Sequence, residues 1–537
     1  MKTKLMVIIF LFSVFLLSAN SDLWEKDGFD SCTSIMVGKL ASTDGSVITS
    51  HTCDANYRTW VDIVPAKKHK NGEKCKIYKG RLHTGYASDS DGLELLGEIP
   101  EVKQTYKFFN TAYPAMNEYQ LTMGESTFGG KRELKSDKGI FQIEELQRLA
   151  LERTKTAREA IKLIGKLIKK YGYCDSGEAI TITDKDEVWH MEIVGPGKGK
   201  FGGVWAAKRI PDGNVGVAAN ISRIGEIEYN NPDYFLFSKN VVKQAIKLKL
   251  YDPKKDGTFK FWKAYGSTWS KKPFGIRDFW VLSSVAPSLN LKFDADELPF
   301  SVKPDKKISV RDVMELFKTT YVGTKYDMRK NLLVEKRKKR GEKNKKVKKE
   351  MVISPIATPW MSYDLRKLLN TLKKDAVKRF RPIAVEYCAY HTILQSRSWL
   401  PDEIGGVMWL GFDNPAMTPK FPVYAGMDKL DPRLHIGSQK RFTMDSPAWI
   451  FRRAGKLAQG RWDKAEKIIK DTLENFEDMV LTGSKKVETD SAKIIKSDPK
   501  EAKKILSEFS ENIFRLMLEK YRDLGNKFWM YYRFRMR

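Results

Sequence analysis

The stretch CTSIMVGKLASTDGSVITSHTCD, from Cys32 to Asp54, constrains the fold more than any other part of the chain. Thr33–Val37 and Ser46–Ser50 are β-rich runs on either side of Asp44-Gly45, a dipeptide suited to the positive φ of a tight turn. The spacing predicts an antiparallel hairpin that begins at a cysteine. Ala179–Val194 again reads as strand, turn, strand, and Gly202–Ile210 with Val215–Asn220 adds two more strands. Between these regions, Gln142–Tyr171 carries Leu146, Leu149, Ile161, Ile164 and Ile168 at core spacing and predicts one long helix. Further helices are predicted over Phe235–Leu250 and Val310–Phe317. From Arg461 to Tyr532 the sequence is rich in Lys, Glu and Leu and reads as helix, interrupted near Ser497-Asp498-Pro499. Strands that pair with strands, with helices in runs between them, predict a layered α+β fold in which helices cover two packed sheets.

The chain has 537 residues, 42% of them hydrophobic, enough for a large core and incompatible with a disordered protein or a small disulfide scaffold. Five cysteines without a CxxC spacing, and six histidines, provide neither a disulfide framework nor a structural zinc site. Lys2 and Lys4 precede an apolar run, Leu5–Leu17, that suits a signal-peptide core and is too short for a span of about 20 residues. Ser18, Ala19 and Ser21 follow, which places cleavage near residue 20 and predicts export to a periplasm or the medium. The next segment, Ser21–Ser31, carries a net charge of −3, whereas the whole chain stands at +29. Part of that excess is local: Lys336–Lys349 holds ten basic residues and one acid. Such a run could attract nucleic acid or another anionic polymer. It has no interleaved aromatics and no groove-reading motif, so it reads as a solvated loop and no specific nucleic-acid partner is expected.

Gly197–Gly202 matches GxGxxG, but the sequence beyond it continues as strand where a dinucleotide site needs a helix, so the glycines are assigned to a hairpin loop. No HExxH, Walker loop or GxSxG is present. His190, on a strand between Trp189 and Met191, is assigned to packing. Cys32 stands out because it opens the hairpin about ten residues beyond the expected signal cleavage and is followed by Thr-Ser. Cutting the bond before it would give one residue both a thiol and a free α-amine, whose pKa of about 7.7–8.0 suits it to accept the thiol proton.

CTSIMVGKLASTDGS, MNEYQLTMGEST (Met116–Thr127) and the block Glu187–Ile224 resemble the secreted dipeptidases of the N-terminal nucleophile hydrolase superfamily, the group of dipeptidase A and the secernin-like proteins. YVGTKYDM (Tyr321–Met328), SRSWLPDEIGGVMWLGFDNP (Ser396–Pro415) and FPVYAGM (Phe421–Met427) continue the resemblance to about Arg453. It implies a four-layer αββα sandwich over residues 32–460, after a signal peptide at 1–20 and a propeptide at 21–31, with residues 461–537 as a helical extension. It also implies cleavage of dipeptides or small peptides without metal or organic cofactor. By the same resemblance Cys32 is the nucleophile, Asp54 holds its α-amine, Asn220 donates to the oxyanion, and Arg277 favours the thiolate. Asn117, Glu125, Ser126 and Thr127 fall on a substrate-pocket motif. The related acylase branch has an arginine three residues before the aspartate, where this chain has His51. That departure weighs against substrates of the penicillin V or bile-salt type. A non-catalytic binder of anionic polymers is the alternative from another class, and assembly into a homo-oligomer is left open.

Overall fold

In the computed structural model of the chain, residues 31–90, 92–268, 270–336, 350–437 and 439–533 are described. The expected signal peptide, all but the last residue of the expected propeptide, and residues 337–349 of the basic run lie outside them. In chain order come β1 (Ser31–Val37), β2 (Val47–Asp54), β3 (Thr122–Gly129), α1 (Ile143–Arg153), α2 (Ala157–Tyr171), β4 (Gly177–Thr183), β5 (Val188–Val194), β6 (Val204–Ile210) and β7 (Val215–Ala218). There follow α3 (Ile276–Val285), α4 (Val310–Phe317), β8 (Cys388–Ser396), β9 (Val407–Phe412), β10 (Phe421–Tyr424), α5 (Pro447–Gly460), α6 (Trp462–Ile494) and α7 (Pro499–Trp529).

Two antiparallel sheets organise these elements. The seven-stranded sheet runs Ser301–Val302, β7, β1, β2, β8, β9, β10, which puts the hairpin in its interior. The eight-stranded sheet runs Phe235–Phe237, β6, β5, β4, β3, Met116–Asn117, Phe108–Asn110, Asp62–Val64. The sheets meet where β1 and β2 lie over β3 and β4. Both strands of the hairpin are therefore buried on both faces. The turn contains Gly45 at φ +82°, a backbone setting glycine adopts without a Cβ clash. β1 and β2 keep one register from Cys32↔Cys53 through Val37↔Ile48. Midway, the Ser50 hydroxyl accepts from the Ile35 N–H and donates to the Ile35 carbonyl, meeting needs the ladder leaves open. Hydroxyls also link the sheets: Ser34 Oγ donates to the Glu125 carbonyl at 3.1 Å, and Thr49 and Thr181 hydroxyls lie 2.6 Å apart. A Cβ on Gly124 would sit 2.6 Å from the Ser50 carbonyl oxygen, so this close approach requires glycine.

Helices lie against both sheets: α2 on β4 and β5, and α3, α4, α5 and α7 on β7, β8, β9 and β10 respectively. The expected helix over 142–171 is two helices. Thr154 turns its hydroxyl back onto the Ala150 carbonyl, and Thr156 with Glu159 forms a capping box that starts α2 afresh. The expected helix over 235–250 is also divided, into an edge strand at Phe235–Phe237 and a helix at Val241–Lys247. Phe235 pairs with Lys208 on β6, so sheet pairing overrides local helical propensity there. The break near Pro499 lies where the sequence placed it, between α6 and α7. Gly197, Gly199 and Gly202 all have positive φ in the loop joining β5 to β6, as a hairpin requires.

The last two helices share the main core. Phe421 on β10 meets Phe514 on α7 with ring centroids 4.8 Å apart, and Arg397 pairs with Glu488 on α6 at 2.6 Å, both side chains nearly buried. No helix among the described residues is long and apolar enough to cross a membrane.

Candidate active site

Cys32 is fully buried near the start of β1. Its neighbours follow from three strands. β2 lies on one side in the same sheet. On the other, the β1–β7 register Ser34↔Ala218, continued by two residues, carries Asn220 to the Cys32 level. β3 supplies Glu125 from the facing sheet. Cys32 Sγ donates to Glu125 Oε2 at 3.0 Å, and the Cys32 backbone N–H donates to Asn220 Oδ1 at 3.0 Å. Burial first, and then the Glu125 charge, push the thiol well above its ordinary pKa. Within the uncut chain the sulfur is therefore a protonated donor.

Asn220 lies just past β7 at φ +63°, a left-handed setting that asparagine tolerates better than most residues. Its Oδ1 also accepts from Arg277 at 2.8 Å, while its Nδ2 donates to the Thr127 carbonyl at 2.7 Å. The Ser126 hydroxyl accepts from the Asn220 backbone N–H at 2.8 Å. Arg277, in the first turn of α3, donates to the Cys32 carbonyl at 2.7 Å, to the Thr33 hydroxyl at 2.8 Å and to the Ala219 carbonyl at 3.0 Å. Burial, helped by the nearby Arg381 charge, brings Arg277 down to about 10, which leaves it cationic near neutrality.

Glu125 gathers the other partners. Thr127 Oγ1 donates to its Oε1 at 2.9 Å, and His51 Nε2 stands 3.5 Å from its Oε2. Burial opposes the Glu125 charge, yet His51 and the Glu178 carboxyl outweigh it and hold Glu125 below its usual range. Glu178, one strand over on β4 and opposite Thr127, is pushed well above that range by burial and by the Glu125 charge. Two buried carboxyls thus influence one another, Glu125 held below the usual range and Glu178 above it. The His51 ring is held edge-on between Tyr113 and Tyr390.

Cys32, Glu125, Ser126, Thr127, Asn220 and Arg277 are brought together. Asp54 lies one residue further along the β1–β2 ladder, paired with Ser31. Its Oδ2 accepts from Thr52 Oγ1 at 2.9 Å and from Arg381 at 2.7 Å, and Arg381 also donates to Ser31 Oγ at 2.6 Å. In the uncut chain the Cys32 nitrogen is an amide and donates to Asn220; Asp54, expected to hold the α-amine that cleavage would free, stands at the neighbouring rung of the ladder. Asn117 stands apart from this group. Its amide donates to the Leu151 and Thr154 carbonyls, and its oxygen accepts from Tyr119 and Leu121, so it ties a turn to the end of α1. His190 is buried and bonded to Glu192 at 2.8 Å, in keeping with the packing role assigned to it.

The sequence reading noted His51 only as a departure and passed over Glu178 and Arg381. Glu178 shares a face with Glu125 only through the β3–β4 register, and a charged residue in an otherwise uncharged strand was the available signal. Arg381 reaches Asp54 from a loop, and nothing local marks it. The Cys32, His51 and Glu125 donor atoms lie within 4.8 Å of one another, close enough to hold a metal ion. A second such group, Cys75, Glu101 and Glu152, is already engaged by Arg148 and Arg153. No disulfide joins any of the five cysteines.

Among curated proteins of similar sequence, a probable dipeptidase of Latilactobacillus sakei is 24% identical over 458 residues, 82% of this chain and 83% of its own length. A probable dipeptidase B of Lactococcus lactis subsp. lactis is 26% identical over 454 residues, 81% and 82% of the two chains. A probable dipeptidase of Salmonella dublin is 25% identical over 421 residues, 75% of this chain and 82% of its own. The profile of peptidase family C69 matches residues 31–475, from the residue before Cys32 into α6. This chain belongs to peptidase family C69.

Proposed function

We propose that the chain is an exported cysteine-type dipeptidase of the N-terminal nucleophile class, with Cys32 as the first residue of the mature protein. One observation carries this reading. The same residue presents its sulfur to a buried carboxylate and its backbone nitrogen to an asparagine, 3.0 Å in each case, with a buried arginine on its carbonyl. The two facing sheets with helices outside them support the four-layer αββα arrangement, the names of the relatives support dipeptides as substrates, and the signal-like leader supports export.

After cleavage before Cys32 the backbone N–H becomes an amine held by Asn220 Oδ1. That amine takes the thiol proton, directly or through Glu125, and the thiolate attacks the scissile carbonyl. The second hydrogen of Asn220 Nδ2, the one not given to Thr127, donates to the oxyanion, while Arg277 adds positive charge from the far side of Cys32. Collapse expels the leaving amine with a proton and leaves a thioester on Cys32. Water, deprotonated by the α-amine, hydrolyses it. Before cleavage the amide nitrogen has no basicity, so Glu125 is the group placed to accept the thiol proton if the protein cuts itself. Glu178, protonated against Glu125, is a positioning residue for it.

Intact-mass measurement of the exported protein is expected to give a chain starting at Cys32, and that species is expected to hydrolyse dipeptides. Cys32→Ala should abolish turnover, and Cys32→Ser should be slow at best, since the alcohol is the poorer nucleophile. Full dipeptidase turnover by folded Cys32→Ala would remove Cys32 from the mechanism.

A further inference from the structure

His51 Nε2 has no hydrogen-bond partner among the described residues, on a side chain that is only 3% exposed. It faces Glu125 Oε2 at 3.5 Å, beyond the range of about 2.7–3.2 Å in which a nitrogen donor is bonded. The same Glu125 oxygen accepts from Cys32 Sγ at 3.0 Å. The three donor atoms come from β1, β2 and the facing β3, all lie within 4.8 Å of one another, and all belong to buried residues. Tyr113 and Tyr390 hold the His51 ring edge-on, with centroids 5.4 Å and 5.7 Å away. A buried polar atom kept in place without a partner is costly, and it marks a position that a ligand can satisfy.

Thiolate sulfur, imidazole nitrogen and carboxylate oxygen are the donors that zinc takes from proteins, with bonds of about 2.0–2.3 Å in a tetrahedral array. Neighbouring ligands on such an ion stand roughly 3.3–3.6 Å apart. The His51–Glu125 separation of 3.5 Å already has that value. The sulfur has to withdraw from Glu125 by about half an ångström to match it. Losing the thiol proton removes the hydrogen bond that draws the two together. A divalent ion set against one thiolate, one carboxylate and a neutral imidazole leaves the buried site without net charge. Magnesium and calcium, which take oxygen ligands, do not fit this set. Cys75, Glu101 and Glu152 form the other group of this spacing, but Arg148 and Arg153 already engage its donors.

We propose that Cys32 Sγ, His51 Nε2 and Glu125 Oε2 form a binding site for a zinc-type divalent cation, and that the bound ion inhibits the enzyme by occupying its nucleophile. On binding, the metal–sulfur bond replaces the S–H bond and the proton passes to solvent. The ion sheds water to take three protein ligands and keeps one water in the fourth position. The inhibition rests on the reading that Cys32 attacks the substrate; the binding does not. Once the bond before Cys32 is cut, the ion enters by the opening that a dipeptide must use.

The test uses the mature protein starting at Cys32, freed of metal with a chelator and titrated with cobalt(II), then with zinc(II) in competition. One cobalt per chain is expected, with the sulfur-to-metal charge-transfer absorption of a thiolate ligand, and zinc is expected to displace it. Zinc is expected to suppress dipeptide turnover, and excess chelator to restore it. His51→Gln and His51→Phe are each expected to weaken zinc binding at least about tenfold, since even outer partners of a metal ligand contribute about 10–100-fold. Thermal midpoints establish that the variants are folded, and either one serves if the other unfolds. Cys32→Ala is expected to abolish the absorption, and Cys75→Ser to leave it unchanged. No thiolate absorption in the folded protein, binding insensitive to the His51 variants, or loss of the absorption in Cys75→Ser overturns the site. Zinc bound at these residues with turnover unaffected overturns the inhibition. A metal-free protein that binds the ion there but hydrolyses no dipeptide counts against the catalytic reading alone, and an active enzyme that binds no ion counts against the metal site alone.

Discussion

Asn220 divides its duties between its two polar atoms. The oxygen accepts from Cys32 and Arg277, and the nitrogen, which donates to the Thr127 carbonyl, is the group proposed above to donate to the oxyanion. Asn220→Asp keeps the oxygen acceptor and the tolerance for positive φ but deletes the amide donor. It is expected to lower kcat per folded active site by about 10²-fold or more with little change in KM, and to lower the thermal midpoint as well, because the new carboxylate oxygen faces the Thr127 carbonyl that the amide had bonded. An unchanged kcat per active site would remove the donor role. Glu178 offers a test of a different kind. Because burial and Glu125 raise its carboxyl well above the usual range, it lends stability that is complete below the ordinary carboxylate pKa of about 4.3 and declines as pH rises toward its folded value. Glu178→Gln fixes the neutral form. Its thermal midpoint should match the native protein near the acid end and exceed it increasingly toward alkaline pH; a constant difference across that range would show Glu178 to be ionised. Cys32 and Asn220 could be singled out because each lies in a motif that carries the family resemblance, and the structure brings the two together. Glu178 and Arg381 could not, since their placement arises from register and from the path of a loop, and the position of Asn117 at the end of α1 became visible only once its four hydrogen bonds were placed.

The hairpin β1–β2 was legible because two β-rich runs and an Asp-Gly turn point the same way, and both strands extend only a few residues beyond the expected bounds. The α1–α2 break was not, since the apolar spacing runs through it and the interruption is made by side-chain caps on Thr154 and Thr156. Sheet separation is also invisible in the sequence, yet it sets the site. Glu125 reaches Cys32 because β3 approaches the hairpin closely at Gly124, where a Cβ would meet the Ser50 carbonyl at 2.6 Å and the Thr181 hydroxyl at 2.7 Å. Backbone cannot move aside as a side-chain tip can. Gly124→Ala is expected to cost about 1–3 kcal/mol of stability and to lower kcat/KM by displacing Glu125 from the sulfur. A wild-type thermal midpoint together with wild-type turnover would mean that the sheets can part there at no cost.

Across the whole molecule, charge and core are distributed differently. Leu333–Glu335 and Met351–Ile353 pair as a small exposed ribbon at the base of the basic run, and Lys336 is matched by Glu350 at 2.8 Å. Replacing Lys336–Lys349 with a short Gly/Ser linker is therefore expected to leave kcat on a neutral dipeptide within a few-fold, while a loss of several orders of magnitude with the fold intact would place this run in the site. The C-terminal helices are the opposite case. The sequence reads them as a helical extension, and the structure ties them to the sheets: α6 supplies Glu488, which accepts from Arg397 at 2.6 Å and from the Tyr424 hydroxyl at 3.1 Å, and α7 supplies Phe514 and the fully buried Tyr521. Removing one partner of a buried ion pair costs about 3–5 kcal/mol, a large share of the 5–15 kcal/mol by which a domain is ordinarily stable, before the bared apolar surface of α5 and β10 is counted. A chain ending at residue 460 is accordingly expected to aggregate or to lose its cooperative thermal transition, and with it all turnover. A soluble fragment of residues 32–460 that melts cooperatively and hydrolyses dipeptides would show that the two helices are an appendage to the catalytic core.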